Sequence, residues 1–153
     1  QAGCQTAYGV AGDTFTLGDA QLKLLWPTEG FDTSDPNEIS LVLQVTYGEY
    51  SFLLTGDAGK PAEEGFLSQV QPVTVLKAGH HGSDTSTTDK LLDAVKPRYA
   101  FVTCGAGNSY GHPDKSTLNK LKARNITAYR SDLNGTVVAA TDGSQITITT
   151  EKG

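Results

Sequence analysis

The chain has 153 residues, 37% of them hydrophobic, which is enough for one domain with its own core and too ordered a composition for a disordered chain. A formal net charge of −5 argues against a general nucleic-acid binder, which needs a basic stripe to displace counterions. It does not exclude an enzyme acting on phosphodiesters, because a bound divalent cation reverses the local field.

Residues 14–17 (TFTL) and 21–26 (QLKLLW) flank the turn pair Gly18-Asp19 and predict a hairpin. Pro27 to Pro36 is polar and aperiodic, hence a loop. Strands are expected at 39–46 (ISLVLQVT) and 50–55 (YSFLLT), the second stopped by Gly56-Asp57. Pro61 opens a short helix, and 73–78 (VTVLKA) is a continuous apolar run suited to a strand buried on both faces. Residues 86–95 form a helix with a Ser/Thr cap, ended by Pro97, and 99–105 (YAFVTCG) is another buried strand. A helix over 114–124, capped by Asp114 or Ser116, precedes AYRS and a terminal hairpin, TVVAAT and QITITT. Helices between strands in the middle, with hairpins at both ends, make the fold class α/β with a mixed sheet. No apolar run approaches the roughly 18 residues of a membrane span, and no signal peptide is visible. Cys4 and Cys104 lack C-x-x-C spacing and read as two separate thiols.

Three segments share one design, an apolar strand running into a Gly-rich polar turn: LLTGDAG (53–59), VLKAGHHGS (75–83) and VTCGAGNSYGHP (102–113). In sheets covered by helices, the C-terminal strand edge is where sites assemble. Asp57 offers a hard oxygen donor, His80 or His81 an imidazole nitrogen, and the glycines let backbone crowd a small site. Each segment alone has a plain structural reading: a turn at Asp57, a strand cap at the histidine pair, a loop support at His112. Their succession at strand ends favours a site.

Together Phe52 to Asp57, Leu76 to Ser83 with Thr85-Ser86, and Asn108 to Pro113 resemble the metallo-β-lactamase fold. More narrowly they resemble the C-terminal hydrolase-like domain of the DNA-uptake channel protein ComEC (Rec2 type) and its free-standing or secreted relatives. The segments 37–43 and 129–136 extend the likeness over nearly the whole chain from Leu17 onward. The resemblance implies the later part of an αββα sandwich and a divalent metal, zinc or manganese. Asp57 matches the carboxylate that bridges two metals, and His80 or His81 the late histidine ligand. His80, first after the strand, is the expected ligand, with His81 supporting it or facing substrate. Ser83 and His112 fall where family members line the cleft. A ligated cation would lower the pKa of bound water and polarise a phosphoryl or carbonyl oxygen.

The resemblance is incomplete. No H-x-H/D-x-D-H string occurs, residues 1–36 hold no histidine, and Asn37-Glu38-Ile39-Ser40 stands where a third metal histidine is usual. Glu38 and His112 are the only further donors in reach of the pattern. With no Met at position 1, residues 1–153 are expected to be one domain truncated on its N-terminal side and inactive alone. Such a piece exposes apolar sheet surface and should self-associate or bind its missing half. The expected function is part of a metal-dependent phosphodiesterase or nuclease linked to DNA uptake, with single-stranded DNA or another phosphodiester as partner, in a bacterial membrane-associated or secreted parent. The alternatives are a non-catalytic accessory domain with a degenerate metal site, and a metallo-hydrolase of esters, lactones or thioesters. Ser83 and Ser86 lie near the histidines, but with no G-x-S-x-G and no acid at triad spacing a serine hydrolase is disfavoured.

Overall fold

Seven consecutive segments pair into one sheet in chain order, from β1 (Thr14–Leu17) and β2 (Ala20–Trp26) through β3 (Val42–Tyr47), β4 (Tyr50–Leu54), β5 (Val75–Lys77) and β6 (Tyr99–Val102) to β7 (Thr127–Arg130). This computed structural model describes residue 3 and residues 6–153, so Cys4 lies outside the described residues. The first four strands are antiparallel, with tight turns between β1 and β2 and between β3 and β4 and a loop over residues 27–41 between β2 and β3; β4 to β7 are parallel. The sheet is therefore mixed, as expected, and both hairpins form where the turn pairs place them. The second, β8 (Val137–Thr141) with β9 (Ile146–Thr150), makes a separate two-stranded sheet. It is tied to the β3–β4 turn by the Glu49 amide on the Gly143 carbonyl (2.8 Å) and the Tyr50 hydroxyl on the Ser144 carbonyl (3.2 Å).

Parallel neighbours need crossovers, and three short helices supply them: α1 (Lys60–Phe66), α2 (Asp89–Val95) and α3 (Lys115–Ala123). Their apolar residues, Ala62, Phe66, Leu91, Leu92, Val95 and Leu121, meet one sheet face made of Leu25, Val42, Leu53, Leu76, Ala100 and Val102. The opposite face carries Phe15, Leu22, Val45, Phe52, Val75 and Tyr99 in one register row. That face is only partly covered: Phe15, Leu17 and Leu54 are exposed large hydrophobics.

Three expectations are corrected. The strand expected from Ile39 begins at Val42, because the Asp35 side chain accepts from the Asn37 amide (2.9 Å) and holds Pro36–Ile39 as a 3-10 turn. The strand over 99–105 stops at Val102, and a four-residue helix, α4 (Ser131–Asn134), follows β7 without a sequence signal. Glu38, a candidate donor, is committed to the frame. Its carboxylate accepts from the Ala62 amide at the start of α1 (2.9 Å), and its carbonyl accepts from the Trp26 indole (2.6 Å). No helix among the described residues is long and apolar enough to cross a membrane.

Candidate functional site

Because β4, β5, β6 and β7 run parallel, their C-terminal ends open onto one edge. There the chain delivers Asp57, His80 and His81, Thr103 and Cys104, and Ser131 and Asp132 in succession.

The Asp57 turn is forced tight. Gly56 has φ +56°, and a Cβ there would sit 2.9 Å from the Ser40 Cβ, so a side chain would be both strained and obstructed. Ser40 stays close because its hydroxyl accepts from the Asp57 amide (3.1 Å). Lys77, half-buried at the end of β5, donates to the carbonyls of Gly56 (2.9 Å) and Ala78 (3.0 Å) and so ties the two loops together. Burial pulls its ammonium pKa down, partly opposed by the Asp57 charge.

His80 (φ 42°) and His81 (φ 56°) both adopt left-handed backbone, costly for residues with a Cβ and kept only where surroundings over-determine it. The His80 amide donates to the Gly56 carbonyl (3.1 Å), and the Ser83 amide to the His80 carbonyl (2.9 Å). Beneath them, the Gly79 amide donates to the Thr87 hydroxyl (3.1 Å) and the Ser86 hydroxyl to the Gly79 carbonyl (2.8 Å). Gly82 fits only without a side chain, since a Cβ would lie 2.7 Å from the Pro113 Cβ.

This strain splays the two imidazoles. His81 Nδ1 lies 2.6 Å from the Thr103 carbonyl. A carbonyl only accepts, so Nδ1 carries a proton, and in the neutral ring Nε2 keeps its lone pair. That Nε2 faces Asp57 Oδ1 at 3.6 Å. His80 turns the other way, its Nδ1 3.4 Å from the Thr85 hydroxyl and its ring edge-on to His112 at 5.6 Å between centroids. Asp57, His80, His81, His112 and Tyr110 border one cavity of about 220 Å³. An adjoining cavity of about 420 Å³ is lined by His81, Thr103, Cys104, Asn108, Tyr110 and Ser131, among others. Ser83 is buried at 4% exposure and lines neither; its hydroxyl accepts from the Thr85 amide (3.2 Å).

On the far wall the Ser131 hydroxyl donates to the Cys104 carbonyl and accepts from the Cys104 amide (both 2.8 Å). The Cys104 thiol donates to Asp132 (3.2 Å), and Arg130 grips the same carboxylate through Nε (3.0 Å) and Nη2 (2.6 Å). Burial, then the hydrogen bond to Asp132 and its charge, pushes the thiol pKa up, while Arg130 pulls Asp132 down.

Asp57 and His81 have the chemistry and mutual spacing of metal ligands, and the Thr103 carbonyl supplies the outer hydrogen bond that a ligating histidine needs. A catalytic zinc takes three protein donors and an open position. Among the described residues no group of three or more His, Cys, Asp or Glu is placed to hold an ion. The pair fits one flank of a metal centre and does not close one.

Comparison with known proteins agrees with this fold. The family model described as the Metallo-beta-lactamase superfamily matches residues 18–105. The chain belongs to that superfamily. Within it, the chain is 36% identical over 128 residues to ComE operon protein 3 of Bacillus subtilis, covering 82% of this chain and 16% of that protein. It is 38% identical over 116 residues to Competence protein ComA of Neisseria gonorrhoeae, covering 74% of this chain and 17% of that protein. Recombination protein 2 of Haemophilus influenzae is 36% identical over 107 residues, 70% of this chain and 13% of that protein. The chain thus spans less than a fifth of these relatives. Among solved structures, CmlA, a diiron beta-hydroxylase from Streptomyces venezuelae, superposes with a TM-score of 0.52 over 78% of this chain and 32% of its own, at 15% identity. That likeness shows the fold alone.

Of the residues marked in the sequence, the structure brings Asp57, His80, His81 and His112 to one cavity and sets Ser83 below it. Asn108 and Tyr110 lie in the Asn108–Pro113 motif and Thr103 in the 102–113 segment, but none has an individual role in the sequence reading. The VTCGAGNSYGHP segment was the available signal, but a carbonyl partner and a stacked ring have no sequence mark.

Proposed function

We propose that this chain carries one flank of a metal-dependent phosphodiesterase site that acts on single-stranded DNA in a DNA-uptake protein. The observation that carries the reading is His81 Nε2 facing Asp57 Oδ1 at 3.6 Å with Nδ1 held by a backbone carbonyl. In this reading Asp57 and His81 hold a zinc or manganese ion, and His80 and His112 line the substrate side. The ion, when bound, supplies Lewis acidity and a more acidic water. Lys77 fixes the spacing of the Gly56–Asp57 and Ala78–His81 turns. The names of the relatives, which include a competence protein and a ComE operon protein, support the DNA-uptake setting. The remaining donors and a second sheet over the Phe15, Leu17 and Leu54 face come, in this proposal, from one segment outside the 153 residues. Incubation of an end-labelled single strand with the longer gene product and manganese or zinc tests the reading. Cleavage that disappears in Asp57→Ala supports it; cleavage at an unchanged rate in that variant overturns it.

The donor count favours a second reading. A chain whose described residues offer no three-donor cluster also suits an accessory domain that keeps the fold and binds a partner without chemistry. Absence of cleavage by the longer gene product, with metal present, decides for it.

A further inference from the structure

Tyr110 stands at the cleft mouth with 81% of its surface exposed, so burial does not explain its placement. The ring is oriented all the same. It stacks on the His112 imidazole, 5.9 Å between centroids and 16° between planes, and His112 meets His80 edge-on. Asn108 sets the loop beneath both rings. Its amide nitrogen donates to the carbonyls of Gly105 (2.9 Å) and His112 (2.6 Å), and its carbonyl oxygen accepts from the His112 amide (3.0 Å).

Tyr110 borders both cavities, and neither lining contains Lys or Arg. The cations on neighbouring strand ends are committed, Lys77 to two carbonyls and Arg130 to Asp132. Attraction for phosphate is therefore not what these walls offer. An oriented aromatic face, backed by a second ring and open to solvent, suits stacking with an unpaired base, which any base can satisfy. In a duplex that π-face is covered by neighbouring pairs.

We infer that Tyr110 and His112 form a stacking platform that seats an unpaired nucleobase of a single strand beside Asp57 and His81. This rests on the phosphodiester reading and adds how the strand is held.

The test is fluorescence anisotropy with a labelled thymidine oligomer of about 12 nucleotides and an abasic oligomer with the same phosphates, against the chain and its Tyr110→Ala, Tyr110→Phe and Tyr110→Trp variants. The expected result is a roughly tenfold preference for the base-bearing strand, lost in Tyr110→Ala and kept in the Phe and Trp variants. Melting temperatures should match, because Tyr110 is exposed. Equal binding of both strands by the wild type, or a preference that survives Tyr110→Ala, overturns the platform and leaves the phosphodiester reading standing. Failure to bind either strand overturns the platform, and the Asp57-dependent cleavage assay then reports separately on the reading beneath it.

Discussion

His81 Nε2 faces Asp57 Oδ1 across 3.6 Å while the other nitrogen of the same ring is pinned 2.6 Å from the Thr103 carbonyl. The contact joins three strand ends, since Asp57 follows β4, His81 follows β5 and Thr103 follows β6. It also determines the tautomer, because the carbonyl accepts and cannot donate. Long-range proton–nitrogen NMR of the neutral ring should show His81 protonated on Nδ1 and unprotonated on Nε2. The Nε2-protonated neutral form would break the ligand geometry described here.

Lys77 bridges the Gly56 and Ala78 carbonyls from a half-buried position. Lys77→Met removes both hydrogen bonds, leaving the Gly56 carbonyl only the His80 amide, at a cost of about 1.5–3 kcal/mol. Chemical denaturation should show that loss, and hydrogen exchange should show faster opening at the Asp57 and Gly79 amides. Unchanged protection at both would mean the bridge does not hold the turns.

Gly82 and Gly107 both have positive φ, +84° and +67°. They differ in space: a Cβ at Gly82 lies 2.7 Å from the Pro113 Cβ and 2.9 Å from the Val102 Cγ1, and at Gly107 meets nothing within 4 Å. Alanine at either site carries backbone strain, but only Gly82→Ala adds overlap, a difference of about 1–3 kcal/mol. Denaturant midpoints for the two variants check this, and equal losses would contradict the close approach of the His80–Gly82 turn to Pro113.

How far this was legible in the sequence follows from what each residue answers to. The strands could be read because Val42 to Tyr47 and Tyr50 to Leu54 alternate or run apolar beside turn pairs, and the site edge because Asp57 and the histidine pair end such runs. The choice between His80 and His81 could not be read. Order after the strand pointed to His80, yet both residues take left-handed backbone and the ring facing Asp57 is selected by a carbonyl from another strand. Ser83 has the composition of a cleft residue and turns inward, because its hydroxyl closes the turn on Thr85. Glu38 resembled a donor and caps a helix instead. For His81 and Glu38 the deciding partner is distant in the chain.

Glu63 gives the fold a pH dependence. Its buried carboxylate accepts from the Thr87 and Thr88 amides, yet burial outweighs those bonds and raises its pKa above the ordinary 4.5. A raised folded-state pKa means that the favourable contribution is complete below 4.5 and is lost as pH rises through the folded value. The stability of the wild type relative to Glu63→Gln should therefore decline as pH rises from 4.5 toward neutrality, read by paired urea titrations. A difference that grows with pH would show the carboxylate to be better stabilised folded than unfolded.

The central claim is that Asp57 and His81, rather than His80, form the metal-binding flank. Titration of zinc and of manganese into the longer gene product and its Asp57→Ala, His81→Ala and His80→Ala variants measures it directly. Asp57→Ala and His81→Ala should each weaken binding by more than about tenfold, with His80→Ala closer to the wild type. Wild-type affinity in the Asp57→Ala variant, or a loss confined to His80→Ala, would contradict the account.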